Sequence, residues 1–123
     1  MSTAVRLASV SLDCPDPSAL AAFYARLLGV EVAYDSADFA ALRLEGIWLS
    51  AQRVDGHQPP SWPGGEPPQQ VHLDLAVADL DEAEALATAA GATKADAQPS
   101  PERWRVMLDP AGHPFCLSTR IPD

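Results

Sequence analysis

A chain of 123 residues is the size of one ordinary domain, and its 47% apolar content is enough for a packed core. Its net charge of −9, with eight scattered Lys and Arg, supplies no basic surface for phosphate, so nucleic acid is not an expected partner. No apolar run approaches the roughly 18 residues of a membrane helix, and Met1-Ser2-Thr3-Ala4-Val5-Arg6 leads into a strand pattern without a leader signature, so a cytoplasmic protein without membrane partners is expected.

Residues 5–12 alternate and place Ala8, Val10 and Leu12 on one face of a strand. Asp16 can cap a helix whose first position suits Pro17. Leu20, Phe23, Tyr24, Leu27 and Leu28 then recur at helical spacing up to Gly29. Short strands are expected over residues 30–35, 39–45 and 47–54. The last divides into Ile47, Leu49 and Ala51 against Trp48, Ser50 and Gln52. From Asp55 to Gln70 the pattern breaks. Five prolines make this a linker rather than a strand, and its Trp62 either packs the loop onto the body or covers a pocket.

The stretch from Val71 to Val77 alternates again, with Val71, Leu73, Leu75 and Val77 on one face and His72 and Asp74 on the other. Asp79 followed by Glu82 is a helix-start signature, and Leu80, Ala83, Leu86, Ala87 and Ala90 form the stripe of a helix ended by Gly91. Strands are expected over 92–97, 103–108 and 115–119. In the second of these, Trp104, Val106 and Leu108 are read as one face and Arg103, Arg105 and Met107 as the other, open one. The turn Asp109-Pro110-Ala111-Gly112-His113 precedes the last strand, and His113 is read as structural or surface, with no ligand role.

The two halves repeat. Ser9 to Asp16 lies over His72 to Asp79 without a gap, and the helix ending at Gly29 matches the one ending at Gly91 with one residue of slippage. The fold class is therefore α+β, with two tandem βαβββ modules: module one over 4–55, a Pro-rich linker over 56–69 and module two over 70–121. A four-stranded sheet with its helix on one side has an open face, and two such faces are expected to form a cleft.

Three segments carry a resemblance: Phe23-Tyr24-Ala25-Arg26-Leu27-Leu28-Gly29; His72 with Val77-Ala78-Asp79-Leu80-Asp81-Glu82-Ala83; and Asp109-Pro110-Ala111-Gly112-His113-Pro114-Phe115-Cys116-Leu117. The chain resembles the vicinal oxygen chelate (glyoxalase/bleomycin-resistance/dioxygenase) superfamily, and within it the glyoxalase-like domain subgroup. The resemblance implies a homodimer. It also implies metal-ligand positions on the first and last strands of each half, which here are Ser9, Ser50, His72 and Cys116. Only His72 is the expected ligand type, and Cys116 stands where a glutamate is usual. Serine hydroxyls are poor ligands for a catalytic divalent ion, and a His/Cys pair alone binds one weakly unless Asp74 or a loop histidine joins it. No metal and no cofactor are therefore expected.

The expected ligand-binding residues are Ser9, Trp48, Ser50, His72, Asp74, Arg105 and Cys116. Arg105 and Asp74 can pair in the cleft, for ligand or only for the fold. Trp48 offers a stacking surface or fills the core. His72 and Cys116 are the catalytic candidates: a Cys–His pair can make a thiolate nucleophile, whereas a buried cysteine is ordinarily an inert small hydrophobe. The expected function is binding of a small molecule at a degenerate metal site, sequestering a toxic or antibiotic-like compound. The alternative is a lyase or isomerase that uses His72 as acid/base or as a residual metal ligand. The sequence does not decide between binding and catalysis.

Overall fold

The computed structural model describes residues 4–122. The chain divides into two compact units, Met1–His57 and Gln58–Asp123, and each repeats the same βαβββ order. The reading of Met1-Ser2-Thr3 as free of a leader signature lies outside the described residues. Among the described residues no helix is long and apolar enough to cross a membrane.

In the first unit, β1 (Ser9–Cys14) leads to α1 (Pro17–Leu28), then β2 (Val32–Asp35), β3 (Phe39–Leu44) and β4 (Ile47–Arg53). The sheet order is β1-β4-β3-β2, with β1 parallel to β4 and the other pairs antiparallel. The helix begins where expected: Asp16 has an extended backbone and its carboxylate accepts the Ala19 N–H at 3.2 Å, with Pro17 behind it. It ends at Gly29, whose φ of 70° is a left-handed conformation that glycine adopts without a steric penalty. Leu20, Phe23 and Tyr24 are buried on α1, and so are Leu42, Leu49 and Ala51 on the strands it covers. Full burial of each large side chain favours the fold by roughly 1.5–3 kcal/mol.

In the second unit, β5 (Leu73–Ala76) leads to α2 (Leu80–Ala90), then β6 (Thr93–Lys94), β7 (Trp104–Leu108) and β8 (Pro114–Ser118), in the order β5-β8-β7-β6. Asp79 caps α2 by accepting the Glu82 N–H at 2.9 Å. Ala87 and Ala90 are the buried residues of α2, and Met107, Phe115 and Leu117 are fully buried in the strands it packs on. Leu86, expected in the apolar stripe, is exposed.

Strand β6 has only two residues, and the side chain of Gln98 extends its role. Gln98 accepts the Val106 N–H at 2.9 Å and donates to the Val106 carbonyl at 2.7 Å, so backbone groups beyond the short strand are still satisfied. The first strand of each unit is shorter than its sequence pattern. Residues 5–8 and Val71 show alternation but lie outside the strands, and Val5, Leu7 and Val71 are exposed.

The register corrects one expectation. In an antiparallel ladder, directly paired residues share a face. Trp104 pairs with Ser118, Arg105 with Leu117, Val106 with Cys116 and Met107 with Phe115. Arg105 and Met107 therefore share the helix-covered face with Leu117 and Phe115, while Trp104 lies on the face of Cys116. The sequence reading had these two sets exchanged.

Candidate functional site

The open face of module two gathers the chemistry. Asp74 is the register partner of Cys116 on the parallel strand β8, and His72 precedes it by two residues, on the same side of the chain. The ring Nε2–H of His72 donates to Asp74 Oδ1 at 3.2 Å. One ligand atom from each of His72, Asp74 and Cys116 lies within 4.8 Å of the other two. A cavity of about 320 Å³ opens over these groups and is lined by Trp62, Pro99, Trp104, Ser118 and Ile121 as well. That volume falls at the lower end of small-molecule sites. The linker tryptophan fills both of its expected roles: the Trp62 indole N–H donates to the Ala97 carbonyl at 3.0 Å, which ties the loop down, and its ring forms part of the cavity wall.

Burial, and after it the charge of Asp74 and a hydrogen bond with it, together push the Cys116 thiol up to about 11. Both causes disfavour thiolate, burial first and the adjacent Asp74 carboxylate after it, whereas a nucleophilic thiolate needs a neighbour that withdraws the proton. In metal-free protein, alkylation of Cys116 followed by peptide mapping is expected to stay slow through pH 9 and to rise toward an apparent pKa near 11. Asp74→Asn is expected to move that midpoint down. Stability has the matching sign. The unfolded thiol ionises near pH ~8.5, so this group's contribution to folding is lost as pH rises from there toward 11.

Arg105 takes no part in this site. Its guanidinium Nη1 bonds Asp81 at 2.6 Å and Glu84 at 3.2 Å, both on α2, instead of the expected Asp74. Its side chain is only 17% exposed, and a half-buried cation needs nearby carboxylates.

Module one has its own open face. Ser9, Ser50, Trp48 and Arg43 share it by register. Ser50 is buried, and its hydroxyl lies 3.1 Å from that of Ser9, so the two satisfy each other. Arg43 sits 5.5 Å from the Trp48 ring centroid, so one side of that indole already carries a cation. The residues at the superfamily's four metal positions do not fit such an ion, because two of them are these mutually hydrogen-bonded serine hydroxyls. His113 belongs to the turn before β8, where its N–H and that of Ala111 donate to the buried Asp109 carboxylate at 3.0 and 2.9 Å.

Sequence reasoning placed His72, Asp74 and Cys116 but missed Trp104, which it assigned to the core. One signal was available. Asp81 and Glu84 stand three apart on a helix and so present two carboxylates to a single strand cation, which pulls Arg105 to the helix side and leaves Trp104 on the other.

Two βαβββ modules in one chain, each a four-stranded sheet with its helix on one side, are the architecture of the vicinal oxygen chelate superfamily. Within it the chain belongs to the glyoxalase-like domain family, whose model matches residues 9–118. Its fold is similar to that of a glyoxalase/bleomycin resistance protein/dioxygenase family enzyme from Burkholderia phytofirmans PsJN, with 21% identity, a TM-score of 0.71, and coverage of 92% of this chain and 97% of that one. A glyoxalase-related enzyme from Fulvimarina pelagi is 18% identical at a TM-score of 0.69, over 92% of this chain and 86% of that one. The oxidase ChaP-H2 is 21% identical at a TM-score of 0.63, over 97% and 96% respectively. No curated protein matches the sequence.

Proposed function

We propose that the protein binds a small, flat organic molecule in the module-two cavity, and that it sequesters a toxic or antibiotic-like compound. The observation that carries this reading is the pair of tryptophans, Trp62 from the linker and Trp104 from β7, lining one cavity of about 320 Å³ whose remaining polar groups are His72, Asp74, Cys116 and Ser118. Indole faces attract flat and cationic ligands, and the few polar groups orient them. The stacking contacts themselves call on no metal. A homodimer, implied by the family resemblance, belongs to the same proposal, and light scattering checks it.

A screen of aromatic and cationic compounds by tryptophan fluorescence tests the reading, in a Trp48→Phe background that removes the module-one signal. Saturable quenching by at least one compound class is expected, and Trp104→Ala is expected to weaken that affinity about tenfold, the worth of one aromatic contact near 1.4 kcal/mol. Linear, unsaturable quenching across the whole panel would overturn it.

The enzyme reading has one observation in its favour. The His72–Asp74 hydrogen bond is the arrangement in which a carboxylate orients an imidazole for acid/base work, as a lyase or isomerase would use it. Product formation from a bound compound that disappears in His72→Gln while binding persists would select this reading over sequestration.

A further inference from the structure

We propose that Arg6 and Arg43, with Trp48, form a site in module one for a small oxyanion, the carboxylate or phosphate group of a low-molecular-weight acid. Both arginines line one cavity of about 150 Å³, together with Leu44, Gly46, Ile47 and Trp48. Arg43 on β3 and Trp48 on β4 are register partners, so they share a face of the sheet. Arg6 precedes β1, and its segment is laid along β4 where the Trp48 N–H donates to the Ala8 carbonyl at 2.9 Å. Gly46 turns the chain from β3 to β4 with a φ of 79°, and a Cβ there would meet nothing within 4 Å, so the space beside the turn is open.

The charge balance sets this pair apart. The chain has 17 acidic residues against eight Lys and Arg, so a cation has carboxylates in plenty to pair with. Arg53, Lys94 and Arg105 do pair with them. Among the described residues, neither Arg6 nor Arg43 is in an ion pair or donates a side-chain hydrogen bond to a protein oxygen. Arg43 sits 5.5 Å from the Trp48 ring centroid, which fixes its place while its N–H donors stay without an oxygen partner. Two like charges on one small cavity repel, and an oxyanion between them turns that repulsion into attraction. The guanidinium fork matches the paired oxygens of carboxylate and phosphate, which selects this ligand class over a halide. The site uses none of Ser9, Ser50, His72 and Cys116. It does not rest on the organic-ligand reading of module two.

The test is a nuclear magnetic resonance titration of nitrogen-labelled full-length protein, at constant ionic strength, with inorganic phosphate and separately with benzoate. Saturable shifts of the Trp48 indole N–H, the Gly46 amide and the Arg6 and Arg43 side-chain N–H groups are expected with at least one of them. Saturation by phosphate alone assigns a phosphate ligand, by benzoate alone a planar carboxylate, and by both an oxyanion as such. Arg6→Gln and Arg43→Gln are each expected to weaken the affinity about fivefold or more, the loss of one charge-assisted pair. Absence of saturable shifts with either anion up to about 100 mM would overturn the site. Shifts centred on other cations, such as Arg103 and Arg120, would do the same. Arg6 lies outside every strand, so Arg6→Gln decides the matter should Arg43→Gln disturb β3: unchanged affinity overturns the assignment. The amide spectrum of each variant reports whether it is folded.

Discussion

Gly112→Ala is expected to destabilise module two by about 3 kcal/mol, a large effect for one added methyl group. Two costs add. Gly112 has a φ of 90°, a conformation that an L side chain rarely adopts, and a Cβ there would stand 2.4 Å from the Cβ of Pro59. Pro59 opens the Pro-rich segment that carries Trp62 to the cavity wall, so the turn before β8 and the linker are packed where a side chain at Gly112 does not fit. The measurement is a urea unfolding curve with a double-mutant cycle. Pro59→Gly removes the near atoms, so adding it to Gly112→Ala is expected to restore about half of the loss and leave the backbone cost. Strict additivity of the two changes would show that the contact is not the cause. The same variant is expected to weaken any ligand held by Trp62, because the strap no longer rests on its seat.

Arg105→Ala is expected to cost about 2 kcal/mol and to leave the chemistry of the open face untouched. The Arg105 side chain is half-buried and its guanidinium is held by Asp81 and Glu84. Asp81 is exposed at 88% and loses little when its partner goes, whereas Glu84 is 25% exposed and does lose a partner near the core. Lys94 still reaches Glu84 at 3.1 Å, which keeps the loss below that of a buried carboxylate stranded without a cation. Chemical denaturation measures the stability. The alkylation profile of Cys116 supplies the second readout: it stays where it was if Arg105 faces the helix, and it shifts if Arg105 reaches Asp74.

These two residues also show what kind of information each level carries. The alternation of Val71 to Val77 was enough to put His72 and Asp74 on one side of a strand and Leu73 and Leu75 on the other, because a period of two is a local property of extended backbone. The caps Asp16 and Asp79 and the stop at Gly29 were legible for the same reason: their hydrogen bonds and dihedral angle involve neighbours a few residues away. The internal repeat then assigned the same βαβββ succession to both halves, and the two sheets follow one plan.

Alternation says that two sets of residues face opposite ways, but not which set faces in. In β7 both sets contain apolar members, Trp104, Val106 and Leu108 against Met107, and the one charged residue, Arg105, draws its set toward solvent in a reading by pattern alone. The choice is made by long-range electrostatics and packing: the carboxylates of α2 hold the guanidinium, and Trp104 lines one cavity with the linker's Trp62. The surroundings of Cys116 are non-local in the same way: besides its burial it meets the Asp74 carboxylate, more than forty positions earlier in the chain, on the neighbouring strand. The sequence by itself determined the two-module architecture and the common side of His72 and Asp74, because both follow from local periodicity and repetition. Only the tertiary structure decided that Asp74 joins His72 and Cys116, that Arg105 does not, and that two tryptophans complete the cavity, because these depend on contacts between strands, helix and linker that no local spacing encodes.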